Sequence, residues 1–129
     1  MPRFTQDDRA EGPVVTGFAG QDFIVSGGVV RSVLMTPQGA EAWSPPPLAE
    51  LTMEDVAPLF RLEPLPEFLI LGTGPDMGFP PRAFVRALEE KGVGVEAMDS
   101  KAAARTWGML RGEGRWIAAA LMPLSSEQR

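Results

Sequence analysis

Cysteine, histidine and tyrosine are all missing from this chain of 129 residues. Without cysteine there is no disulfide, no thiolate nucleophile, no iron–sulfur ligand and no sulfur-ligated zinc. Without histidine the Ser-His-Asp and Cys-His arrangements are gone, together with the commonest general base near neutral pH and the commonest metal ligand. Any chemistry is left to Asp, Glu, Lys, Arg, Ser, Thr and backbone amides, and neither a metal nor a cofactor is expected. Basic residues are in deficit as well: 12 Lys and Arg stand against 17 Asp and Glu, for a net charge of −5. That excess repels phosphate backbones, and no run of Lys and Arg offsets it, so nucleic acid is not an expected partner. Long hydrophobic runs are lacking too, and no stretch approaches the ~20 apolar residues of a membrane span. The opening Met1-Pro2-Arg3-Phe4-Thr5-Gln6-Asp7-Asp8 has no apolar core and carries acidic residues, unlike a secretory or mitochondrial presequence. A cytoplasmic location follows as the expectation.

What the chain has in plenty is glycine, 14 residues, and proline, 13, beside an ordinary hydrophobic fraction of 44%. Many deliberate turns and short helices are the consequence, within a chain of single-domain size. Residues 1–13 are polar and end in Gly12-Pro13, which marks a flexible arm; residues 14–123 carry the pattern of one α/β domain; residues 124–129 form a polar tail. Val14 to Phe18, Phe23 to Val25 and Val29 to Met35 are β-rich. Ser26-Gly27-Gly28 between the last two is a hairpin signal, because glycine reaches the positive φ that such turns need. Ala42-Trp43 adds a short edge strand before Ser44-Pro45-Pro46-Pro47, where prolines cannot donate to a ladder. Trp43, beside this proline run, is the aromatic residue best placed for an exposed contact. Thr52 with Asp55 three residues on has the capping-box pattern, and Pro58 limits the helix it opens to two or three turns.

The second half alternates strand and helix. Phe68-Leu69-Ile70-Leu71 is a continuous apolar run stopped by Gly72, as for a strand covered on both faces. A helix from Pro81 to Lys91 ends at Gly92, with Phe84, Ala87 and Leu88 as its buried stripe. Val93 to Met98 is the next strand. Ser100 caps a helix to about Leu110 or Arg111, with Ala103, Trp107 and Leu110 facing inward. Trp116 to Met122 is the last strand, stopped by Pro123. This β-α-β-α-β order calls for parallel strands with right-handed crossovers. The fold class is therefore α/β: three layers, a mixed central sheet with a β-α-β-α-β C-terminal half, and an N-terminal antiparallel β-meander or hairpin layer.

Gly72-Thr73-Gly74 is the candidate site. With Gly78 it spaces as G-x-G-x-x-x-G, one residue too long for a dinucleotide fingerprint. Pro75 removes a donor directly after Gly74, and Phe79-Pro80-Pro81 postpones the helix. A tight turn in which glycine permits close backbone approach is the plainer explanation. Its position still draws interest, because open α/β sheets bind ligands beyond the carboxyl ends of their strands. If the two strands are neighbours, Gly72, Thr73, Gly74, Asp99 and Ser100 meet at one rim, and Arg105, one turn into the helix, reaches the same place. Asp99 is then either a ligand group or a helix-entry residue at the positive end of the dipole.

Leu69-Ile70-Leu71-Gly72-Thr73-Gly74, Gly92-Val93-Gly94-Val95-Glu96-Ala97-Met98-Asp99, Ala102-Ala103-Ala104-Arg105-Thr106-Trp107 and Glu113-Gly114-Arg115 occur in that order. Together with the Gly20 to Thr36 meander they resemble a small domain family of unassigned function, over about residues 14–123. That family includes mitochondrial complex I assembly factor three, the adipogenesis-associated domain protein and many short bacterial and archaeal proteins. The resemblance implies a three-layer α/β fold and a protein-interaction role in assembling a respiratory or membrane complex, with no established enzymatic activity. Lacking a presequence, this chain matches the bacterial branch better. The expectation is a non-enzymatic binding or assembly module whose partner is another protein or complex. The alternative is a small polar-ligand protein or weak enzyme working at the Gly72-Thr73-Gly74/Asp99 rim.

Overall fold

Short β-branched runs separated by glycine turns build the first third of the chain. Val15–Ala19 (β1), Asp22–Val25 (β2) and Gly28–Val30 (β3) form an antiparallel sheet in that order. The β2–β3 hairpin turns at Ser26 (φ 49°) and Gly27 (φ 84°), the two left-handed residues a tight hairpin of this twist demands. The run Val29 to Met35 looks like one strand but divides at Arg31-Ser32 between two sheets. Val33–Thr36 (β4) leaves the first sheet and pairs with Gly39–Ala42 (β5) and Ala118–Leu121 (β8) in the second. A computed structural model describes residues 12–125. The expected arm over 1–13 and tail over 124–129 fall largely outside those residues. Pro13 itself is buried, and Leu124 is only 7% exposed, so both belong with the packed domain.

The central sheet has the order β5-β4-β8-β6-β7, where β6 is Phe68–Gly72 and β7 is Gly94–Met98. β6, β7 and β8 are mutually parallel; β4 runs against them beside β8, and β5 pairs antiparallel with β4 at the edge. The helix Arg82–Glu90 (α1) links β6 to β7, and Ser100–Gly112 (α2) links β7 to β8. β7 and β8 lie on opposite sides of β6, so crossovers of one hand place the two helices on opposite faces.

Each face has its own core. Leu69 and Leu71 point to α1, where Phe84, Leu88, Leu34, Ala120, Trp43 and the 3-10 stretch Met53–Arg61 close over them. Ile70, alternating to the other face, meets Trp107 and Ala103 of α2, together with Phe23 and Val25 of the N-terminal sheet. The three-layer expectation holds. Trp43 is not the exposed aromatic its neighbouring prolines foretold: it is 9% exposed and its indole N–H donates to the Asp55 carbonyl at 2.8 Å. Burying its ring removes far more apolar surface from water than contact with a proline run at the surface would.

Candidate functional site

The carboxyl ends of β6, β7 and β8 converge at a rim held by one side chain. Ser100, fully buried, accepts from the Gly74 N–H at 2.9 Å and donates to the Met122 carbonyl at 2.8 Å. Its own N–H donates to the Gly74 carbonyl at 2.8 Å, and the Met122 N–H donates to the Gly72 carbonyl at 2.9 Å. Six backbone groups at the strand ends are thereby satisfied without water. The close approach is what requires glycine at position 72. A Cβ there would stand 2.7 Å from Ser100 Oγ and 2.9 Å from Ser100 Cα.

Thr73 closes the loop that follows. Its hydroxyl accepts from the Gly78 N–H at 3.0 Å and donates to the Asp76 carbonyl at 2.7 Å, with the Met98 carbonyl at 3.2 Å. Its N–H donates to the Met98 carbonyl at 2.8 Å. The Thr73 and Gly74 amides, which a phosphate loop would present to an anion, are both spent on protein acceptors, and Pro75 has none to give.

The structure brings Gly72, Thr73, Gly74 and Ser100 together as topology foretold, since β6 and β7 pair in parallel with Gly72 opposite Met98. Asp99 stands beside them, but its carboxylate accepts from the Ala102 N–H at 2.9 Å. The helix cap is therefore Asp99 and not Ser100. A residue whose oxygen must reach two neighbouring strand ends cannot also turn back along its own helix. Arg105 lies on the exposed side of α2, and none of the rim's hydrogen bonds involves it.

Thr73 and Gly74 also line one side of a groove of about 820 Å³ next to the rim. Its other walls are Val29, Arg31, Pro45, Leu48 and Pro123. These residues went unnoticed in the sequence because they come together only when antiparallel β4 brings its start beside the end of β8. The proline run was the available signal. The arginines whose proton affinity the fold alters sit at the far end of the sheet. Burial lowers that of Arg111, and the hydrogen bond that Arg115 donates to the Glu67 carboxylate raises that of Arg115. Among the described residues no cluster of Asp and Glu could hold a metal ion.

Comparison with known proteins matches residues 15–122 to the model of a family described as a protein of unknown function (DUF498/DUF598). An uncharacterised protein of Rhodobacter capsulatus is 31% identical over 111 residues, covering 85% of this chain and 84% of its own. NADH dehydrogenase [ubiquinone] 1 alpha subcomplex assembly factor 3 is 29% identical over 110 residues in Bos taurus and 30% over 117 in Xenopus tropicalis. These alignments cover 84% and 90% of this chain but 60% and 64% of those proteins, so the chain spans about three fifths of their length. Among solved structures, a Bordetella parapertussis protein superposes with a TM-score of 0.79 at 33% identity, covering 88% of this chain and 97% of that one. An NMR structure of a Xanthomonas campestris protein gives 0.75 at 29%, covering 100% and 97%.

Proposed function

We propose, on the premise that this chain belongs to the DUF498/DUF598 family of proteins of unknown function, that it is a non-enzymatic, assembly-factor-like module. It binds other proteins and assists the building of a respiratory or membrane complex from the cytoplasm. The observation that carries this is the extent of the match to the named assembly factors: it covers 84% and 90% of the chain, which is the folded domain itself and not a peripheral segment. The internal engagement of the rim supports it. The Ser100 hydroxyl, the Thr73 hydroxyl and the Gly74 amide hold three strand ends in register, and Asp99 caps α2. Gly72, Thr73, Gly74, Asp99 and Ser100 are then a frame for neighbouring surfaces, with Arg105 as a surface cation.

Among the described residues no helix is long and apolar enough to cross a membrane, so a membrane-embedded target is approached from the aqueous side. Affinity purification of the chain from its source cell under gentle conditions, followed by mass spectrometry, checks the proposal. Co-purification of the same complex subunits in independent preparations is the expected result. Recovery only as a free monomer or homodimer overturns it.

A further inference from the structure

β5 is an edge strand of unusual composition: Gly39, Ala40, Glu41 and Ala42, every one exposed. Among the described residues no strand pairs with its outer side. Register and hydrogen bonding say which groups face outward. Trp43 lies opposite Ser32 and donates its N–H to the Ser32 carbonyl at 3.1 Å, continuing the pairing of Glu41 with Leu34. In an antiparallel ladder bonded and non-bonded pairs alternate, so Gly39 and Glu41 bond to β4 while Ala40 and Ala42 turn N–H and C=O to the open edge.

Natural edges are commonly guarded by lysine, proline or a bulge. β5 contains neither residue, and its four pairs with β4 run in unbroken register. Its small side chains also leave a hollow on each face. One, of about 260 Å³, is floored by Leu34, Leu59 and Leu62. The other, of about 390 Å³, is lined by Val25, Val30 and Val33. A strand laid beside β5 would send alternate side chains into these two hollows.

We propose that the β5 edge is the docking surface for an extended segment of a different protein, added as a sixth strand of the central sheet. The segment carries bulky apolar residues on the Ala40/Ala42 face and lysine or arginine on the Glu41 face. Charge and volume together select this occupant. A cross-strand neighbour of Glu41 is favoured when cationic, and a chain of net charge −5 attracts basic segments. Arg61 also lines the hollow on the Glu41 face, while Glu41 itself lies on the strand beside which the segment is added. A second copy of this chain fits poorly. The antiparallel register with the fullest overlap sets Ala40 opposite Ala42 and Glu41 opposite Glu41, joining like charges and filling neither hollow. The proposal rests on the protein-binding role above and names its surface.

The probe is a short synthetic peptide alternating lysine with valine and isoleucine, titrated into the ¹⁵N-labelled full chain. The Ala40 and Ala42 amides shift and exchange more slowly, and a counterpart with glutamate for lysine binds at least about tenfold more weakly. Ala42→Pro takes away one outward donor and leaves the β4–β5 bonds intact; it weakens binding about tenfold or more while the thermal midpoint holds. Glu41→Lys, at an exposed side chain, reverses the peptide preference. Shifts elsewhere on the surface, or equal binding by Ala42→Pro, overturn the proposal. So does an edge already protected in the free chain, whether through concentration-dependent dimerisation or through residues 1–11, whose deletion would then release it. If Ala42→Pro recovers the same complex subunits from cells as the unaltered chain, the edge proposal fails and the assembly role stands. If the unaltered chain recovers none while the peptide still docks on β5, the assembly role fails and the edge stands.

Discussion

At the scale of single residues, Ser100 and Gly72 are two halves of one contact. The Ser100 hydroxyl sits where a Cβ on residue 72 would intrude at 2.7 Å, and its two hydrogen bonds satisfy groups just past the ends of β6 and β8. Ser100→Ala leaves the Gly74 N–H and the Met122 carbonyl buried without that partner, at a cost of about 1–3 kcal/mol. Gly72→Ala is expected to cost about as much by overpacking, because backbone as well as side chain stands in the way. The double variant loses less than the sum, since one change removes an atom the other collides with. Chemical denaturation of the four proteins checks this, and strict additivity would show that the contact is not shared. The turn was legible in the sequence as glycines ending an apolar run. That Ser100 fills it was not, because serine and aspartate at 99–100 both suit a helix start, and only the parallel pairing of β6 with β7 and β8 decides which oxygen goes where.

At the scale of elements, helix ends were easier to read than strand ends. Gly92 terminates α1 at φ 84°, the left-handed conformation expected of a glycine after a helix, and the Val93 N–H reaches back to the Leu88 carbonyl at 3.0 Å. Gly108 lies inside α2, where a Cβ would meet nothing within 4 Å. The two glycines therefore respond with opposite signs to the same substitution. Gly92→Ala destabilises by about 1 kcal/mol through left-handed strain. Gly108→Ala stabilises by about 0.5–1 kcal/mol by restricting the unfolded chain and removing a poor helix former. Urea titrations of both variants give the comparison, and a loss at Gly108 would reveal an approach to α2 that the packing does not show. Strand boundaries carried less information. Nothing in Val29 to Met35 marks the passage from one sheet to the next, because Val30 and Val33 are equally suited to either. The break at Arg31-Ser32 is set by the Ser32 hydroxyl and carbonyl, which both bond to the Trp43 backbone.

At the scale of the whole molecule, two cores share one sheet. Neighbouring residues on β6 serve opposite sides, Leu69 and Leu71 with Trp43, and Ile70 with Trp107. Neither core can open without exposing the other through β4, β6 and β8, so the domain is expected to unfold as one unit despite its layered build. The tryptophans report this directly. Trp43 is tied to the 3-10 stretch by its bond to the Asp55 carbonyl, and Trp107 to the segment just before β1 by a 2.8 Å bond to the Pro13 carbonyl. Trp116 lies outside both cores, bonded to the Pro64 carbonyl at 2.7 Å. In a Trp116→Phe background, adding Trp43→Phe or Trp107→Phe leaves a single indole in one core or the other. Each of the two core substitutions lowers stability by about 1–3 kcal/mol, since a core loses part of its ring volume and a carbonyl, buried at Pro13 and half-buried at Asp55, loses its donor. Within each variant, the fluorescence and far-ultraviolet transitions coincide. Separate midpoints for the Trp43 and Trp107 signals relative to backbone unfolding would mean that the N-terminal sheet or the 3-10 layer detaches first, and that the shared strands do not couple the two faces.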